Sequence, residues 1–153
     1  MSAPGATSIT VSRDVDAPPE RVFALLADPD RHPDIDASGM VRASRTHLAV
    51  TELGDVFTME MHNPQMGDYV IENHVVVYEP DRAIGWAPAG EGRPPTGHTY
   101  TWSLSDDGAD GTVVTQTYDW SQVTDPEVVG YFPVVDREQL EGSLERLAEA
   151  LAE

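Results

Sequence analysis

The sequence predicts an α+β domain: a curved antiparallel sheet of about seven strands wrapped around a long C-terminal helix, with two short helices after the first strand. Three observations predict it. Apolar and polar residues alternate with period two through most of residues 40–120, the last stretch reverts to helical period, and the connections between alternating segments are short. Parallel neighbours need crossovers of a dozen or more residues, so short connections make the sheet antiparallel.

Strand 1 is Ser8–Val15, where Ile9 and Val11 alternate with Thr10 and Ser12. Pro18 and Pro19 stop it and fit the first turn of a helix, where a missing N–H is harmless, and Glu20 suits the positive end of the helix dipole. That helix runs over about 19–27, with Val22, Phe23, Leu25 and Leu26 as its apolar stripe. Pro29 and Pro33 end it, leaving at most one more turn over 30–36. Strands follow at 40–47, 55–62, 69–78, 83–87, 99–104 and 112–120, separated by Gly, Pro, Asn and Asp clusters. A turn at 126–129, capped by Asp125 or Thr124, precedes the terminal helix over 136–152. There Leu140, Leu144, Leu147 and Leu151 recur at helical spacing, with Asp136 as N-cap and Gln139 three residues on.

The chain is read as one domain over 1–153, large enough to bury about two-thirds of its unfolded surface. With 9 basic against 27 acidic residues and a net charge of −18, contact with nucleic acid or an anionic membrane is disfavoured. The absence of Cys excludes disulfides, thiolate metal sites and thiol nucleophiles. His32, His47, His62, His74 and His98 are scattered without ligand spacing, so no metal is expected, and no cofactor motif occurs. Asp34 and Asp36 read as caps or mouth residues, and the Gly-rich and Pro-rich 90–97 stretch as a mobile loop at the mouth. The N-terminus has neither a basic nor an apolar run, and no segment is long enough to span a bilayer, so a cytoplasmic location is expected.

A strongly twisted sheet presents a concave face that one helical stripe fills only in part, which predicts an internal cavity between sheet and terminal helix. In the third strand Phe57, Met59 and Met61 share the inward face. In the sixth, Tyr100 and Trp102 do so, and in the seventh Gln116, Tyr118 and Trp120. For 69–78 either face fits the alternation. A tight turn pairing Tyr78 with Ile84 and Trp86 favours the even set, which brings Glu72, His74 and Val76 inside. His74 and Glu72 are then candidates for acid–base work. Phe57, Met59, Met61, Val76, Trp86, Tyr100, Trp102, Gln116, Tyr118 and Trp120 are candidate ligand-binding residues. The same aromatics and methionines serve equally as ordinary core. A buried Gln116 demands a partner: a ligand, a water or His74.

Four segments carry a family resemblance: Ala17-Pro18-Pro19-Glu20-Arg21-Val22-Phe23 entering the first helix, Asp28-Pro29-Asp30-Arg31-His32-Pro33 leaving it, Tyr78-Glu79-Pro80-Asp81-Arg82-Ala83-Ile84-Gly85-Trp86 at the turn between the fourth and fifth strands, and Thr117-Tyr118-Asp119-Trp120. In this order and spacing the chain resembles the START-like, birch-pollen-allergen-like superfamily (SRPBCC), in its bacterial polyketide cyclase/dehydratase-like branch. The resemblance implies the helix-grip fold and leaves three functions open, because a fold hosts many functions. The first is a carrier or sensor of a hydrophobic, aromatic or polyketide- or lipid-like small molecule. The second is an aromatase/cyclase using His74 as acid–base, Glu72 as its orienter and Tyr100 or Gln116 as carbonyl donor. The third is a surface interaction module of the ATPase-activator or toxin-like kind. A monomer or homodimer is expected.

Overall fold

The structure, a computed structural model, describes residues 6–152. Residues 1–5, part of the N-terminal stretch read above, lie outside the described residues. Its strands are β1 (Ser8–Val15), β2 (Val41–Ser44), β3 (Val56–Asn63), β4 (Gly67–Glu79), β5 (Ala83–Gly90), β6 (Thr99–Asp106) and β7 (Thr112–Asp119). The helices are α1 (Pro19–Leu26), α2 (His32–Ile35) and α3 (Arg137–Leu151), with 3-10 turns at Pro29–Arg31 and Val129–Tyr131. All neighbours pair antiparallel in the order β1-β7-β6-β5-β4-β3-β2, a meander closed at one edge by β1. This is the helix-grip arrangement expected from the sequence.

Local chemistry sets the helix starts. Pro18 is extended and Pro19 opens α1, while the Asp28 carboxylate accepts the Asp30 N–H at 3.1 Å and caps the following 3-10 turn. For α3 the capping box is complete: Asp136 accepts the Gln139 N–H at 2.8 Å, and the Gln139 amide oxygen accepts the Asp136 N–H at 3.0 Å. Leu140, Leu144, Leu147 and Leu151 are all buried, each burial stabilising by roughly 1.5–3 kcal/mol.

The α3 backbone comes closest to β1 and α2, and its leucines join one core with residues of β1, β3, β5, β6 and β7. Both of its ends are tied: the Arg137 guanidinium donates to the Thr10 carbonyl at 3.0 Å, and that of Arg21 to the Leu151 carbonyl at 3.0 Å. In the middle, Ala37 donates its N–H to Ser143 Oγ at 3.2 Å. Gly142 permits this approach, since a Cβ there would stand 2.9 Å from the Ala37 methyl.

The expectations are corrected in strand bounds, in one loop and in one strand face. β2 is only four residues long, and β5 runs on through Pro88 to Gly90. The 90–97 loop is not free at the mouth: it folds over the outer side of the sheet, where Pro95 bridges to Ala89 and Gly92 donates its N–H to Glu72 at 2.9 Å. The third concerns β4, whose pairing with β5 shifts register between Val75 and Val77. This bulge inserts one residue, Val76, so Tyr78 and Val75 both face inward despite their opposite parity. Upstream of it the odd set faces in: Asn73, Ile71 and Tyr69 stand opposite Phe57, Met59 and Met61. Glu72, His74 and Val76 therefore do not enter the interior. Glu72 and His74 lie on the outer face opposite Thr58 and Val56, and Val76 is 45% exposed.

Candidate functional site

Cross-strand register assembles the concave face in rows. One row runs Trp86, Tyr100, Tyr118, Ile9 across β5, β6, β7 and β1; the next runs Ile84, Trp102, Gln116, Val11. Residues directly opposite each other share a face, so the inward positions follow from pairing alone. Phe57, Met59, Trp102, Gln116, Tyr118 and Trp120 are buried, whereas Met61, Trp86 and Tyr100 are only half-buried.

The half-buried inward residues cluster at one end. Met61, Tyr69, Ile71, Trp86 and Tyr100 face the concavity and remain partly open, while the α3 backbone comes closest to β1 and α2. They line a shallow, partly open cleft in the concave face and not an enclosed cavity of the kind expected from the sequence; the pockets of about 1160 and 390 Å³ among the described residues lie elsewhere, along α3 and beside α1. Tyr69 donates its O–H to Met40 Sδ at 3.8 Å, which closes one side. On the other, the His98 ring packs against Phe132 with centroids 4.7 Å apart and against Tyr100 at 5.9 Å.

Deeper in, the aromatics pack on one another. Tyr100 and Tyr118 stack at 4.6 Å with planes 6° apart, and Tyr118 meets Trp120 at 5.0 Å. Tyr118 Oη accepts the Val134 N–H at 3.0 Å, tying β7 to the segment before α3. His32, from α2, stacks on Trp86 at 4.9 Å and meets Phe57 edge-on at 5.2 Å. Its Nε2–H donates to the Leu26 carbonyl at 2.7 Å.

The electrostatics are those of an uncharged site. Burial pushes the His32 pKa down, with the Leu26 carbonyl opposing, and lowers that of His98 to about 4, so both rings are neutral near pH 7. Burial raises the Tyr69, Tyr100 and Tyr118 hydroxyls, that of Tyr100 most strongly. Three polar atoms on this side are buried without a protein partner: Trp102 Nε1, Gln116 Oε1 and His98 Nδ1. His74 Nε2 is likewise unpartnered, but on the outer face, so His74 does not satisfy Gln116.

Sequence reasoning missed Tyr69, Asn73, His32, His98 and Phe132. A signal existed for His98, which continues the alternation of Tyr100 and Trp102 by one step. Tyr69 and Asn73 were lost with the wrong face of β4. His32 and Phe132 arrive from a helix and a loop, where no periodicity points inward. Among the described residues no cluster of His, Asp and Glu is arranged to hold a metal. A separate groove of about 1160 Å³ runs along the polar face of α3, between Arg13, Arg31 and Arg146 and the carboxylates of Asp34, Glu141, Glu145 and Glu149. It shares no wall with the cleft.

A model of one family matches residues 6–153, virtually the whole chain, and is described as polyketide cyclase / dehydrase and lipid transport. The chain belongs to that family. An uncharacterized protein of Mycobacterium tuberculosis, Rv0088, is 31% identical over 119 residues, covering 78% of this chain and 49% of the relative. The chain thus spans about half the length of the curated relatives it matches. The fold recurs in protein CV1439 from Chromobacterium violaceum, with a TM-score of 0.69, 18% identity and coverage of 96% and 98% of the two chains. A protein from Arthrobacter aurescens gives a TM-score of 0.70 at 17% identity, covering 96% of this chain and 87% of the other. Family membership here carries a fold and a small-molecule role; no helix among the described residues is long and apolar enough to cross a membrane.

Proposed function

We propose that the protein binds a hydrophobic, planar small molecule, aromatic or polyketide-like, between the concave face of the sheet and α3. One observation carries this reading: Met61, Tyr69, Ile71, Trp86 and Tyr100 point into the fold yet stay partly uncovered by it. A sheet face built only for stability has its inward side chains fully covered, whereas these five are half-buried. Aromatic walls suit a flat ligand through stacking, and Met61 adapts to its outline. Trp102 Nε1–H and Gln116 Oε1 offer a donor and an acceptor at the inner end.

Native mass spectrometry of gently purified protein, followed by denaturing extraction, tests the reading. A retained apolar or aromatic compound is expected, and Trp86→Ala lowers its affinity by about tenfold, as loss of one aromatic contact and its buried area implies. A chain that retains nothing and binds no aromatic probe overturns it.

A cyclase reading gains one observation of its own. His98, not His74, stands beside Tyr100 with an Nδ1 that has no protein partner, where it can hydrogen-bond an enol or carbonyl of a folded poly-β-ketone. Cyclisation of a poly-β-ketone by the wild type, lost in His98→Gln with folding intact, supports it; no turnover by the wild type rejects it.

A further inference from the structure

The cleft wall is uniform in one respect, its lack of charge. Met61, Tyr69, Ile71, Trp86 and Tyr100 are all uncharged, and none of the nine basic residues, every one an arginine, stands among them. The histidine at the far side, His98, is buried and gives no cation near neutral pH.

The rim, by contrast, holds a carboxylate in a fixed place. Asp36 Oδ1 accepts the Ser38 N–H at 3.1 Å and the Ser38 O–H at 2.6 Å, and Oδ2 accepts the Val41 N–H at 3.1 Å. These bonds set it next to Met40, whose sulfur receives the Tyr69 hydroxyl. Burial is the main cause that raises the Tyr69 and Tyr100 hydroxyls, and the Asp36 charge adds to it in the same direction for both.

We propose that the cleft selects by charge, admitting planar molecules that carry hydroxyl or carbonyl groups and rejecting carboxylates, because Asp36 stands at its rim and no inward-facing residue among those described supplies a cation. This rests on the small-molecule reading above and names its ligand class. Neutral hydroxyls and carbonyls match the neutral donor and acceptor atoms of Trp102 and Gln116. An acid anion entering the cleft would lose hydration, find no counter-charge and face Asp36.

The test compares two fluorescent probes with the same ring system, pyrenebutanol and pyrenebutyrate, titrated at pH 7 and low salt. The alcohol is expected to bind on the order of tenfold more tightly, because the anion loses hydration and meets a like charge in surroundings of effective dielectric near 20. Asp36→Asn narrows the gap. Asp81→Asn makes the same change in net charge at the remote β4–β5 turn, where a φ of 63° suits asparagine, and leaves the gap unchanged. Ile71→Lys leaves the Asp36 turn intact and sets an ammonium on the wall, so pyrenebutyrate becomes the preferred probe. Equal affinities for both probes in the wild type overturn charge selection while leaving the binding reading in place. Equal narrowing in Asp36→Asn and Asp81→Asn assigns the effect to the overall charge of −18 and overturns the role of Asp36. Binding of neither probe removes the small-molecule reading itself.

Discussion

Trp102 and Gln116 stand opposite each other across β6 and β7 on the inner face, and neither the indole Nε1–H nor the amide Oε1 is hydrogen-bonded to another protein atom. A buried polar group left unpaired costs roughly 1–3 kcal/mol, so stability alone does not account for a glutamine at this point of an apolar wall. A bound water or a polar group of the proposed ligand would satisfy both atoms.

Gln116→Leu removes the unpaired oxygen without removing volume. The expected outcome is a rise of about 2–6 °C in the thermal midpoint of the ligand-free protein, the equivalent of about 1–2 kcal/mol at this chain length. The same variant should bind the native ligand less tightly. A lower midpoint would show that the Gln116 amide is satisfied in solution and that the donor–acceptor pair is not reserved for a ligand.

Glu72 and His74 stand outside the cleft, and their variants report on the register of β4. Glu72→Ala frees the Gly92 N–H and loosens the 90–97 loop; His74→Ala removes an imidazole from the outer face. Both should bind an uncharged aromatic probe within about twofold of the wild type, a difference of roughly 0.4 kcal/mol. A loss of tenfold or more in either would place the even-numbered residues of β4 inside, contrary to the Phe57–Asn73 pairing.

The depressed pKa of His98 gives a signed pH dependence. Between its ordinary value near 6.5 and its folded value of about 4, the unfolded chain carries the proton and the folded chain does not. Acidification through this window therefore favours unfolding, and stability rises with pH from about 4 to about 6.5. His98 contributes up to about 3 kcal/mol of this change, at 1.36 kcal/mol per unit. Urea unfolding at pH 4.5 and pH 7 measures it, and His98→Gln should flatten the difference by about that amount. An unchanged difference would show that the ring is solvated and titrates normally; His32, also depressed by burial, remains in both proteins as an internal background.

How far the site was legible depended on whether its signal was local. The inward faces of β3, β6 and β7 followed from alternation, because side chains on a pleated strand point to opposite sides in turn. The face of β4 did not follow. Parity carried back from the correctly paired Tyr78 gives the wrong answer upstream of Val76, since the bulge adds a residue that leaves no mark in composition. His98 was readable from the 98, 100, 102 spacing, whereas Phe132 reaches it from a loop some thirty residues away and was not.

By itself the sequence determined the order of elements, the antiparallel sheet, the proline entry into α1 and the Asp136–Gln139 capping box of α3. All of these rest on backbone geometry and hydrogen bonds within a few residues. Tertiary structure decided where α3 docks, which inward side chains stay uncovered, and which polar atoms lack partners. Those depend on contacts such as Arg137 with Thr10, 127 residues apart, and on a register shift between strands. A helical stripe states that a helix will be buried. Only packing decides that its backbone approaches β1 and α2 most closely and that Trp86 and Tyr100 stay half-buried.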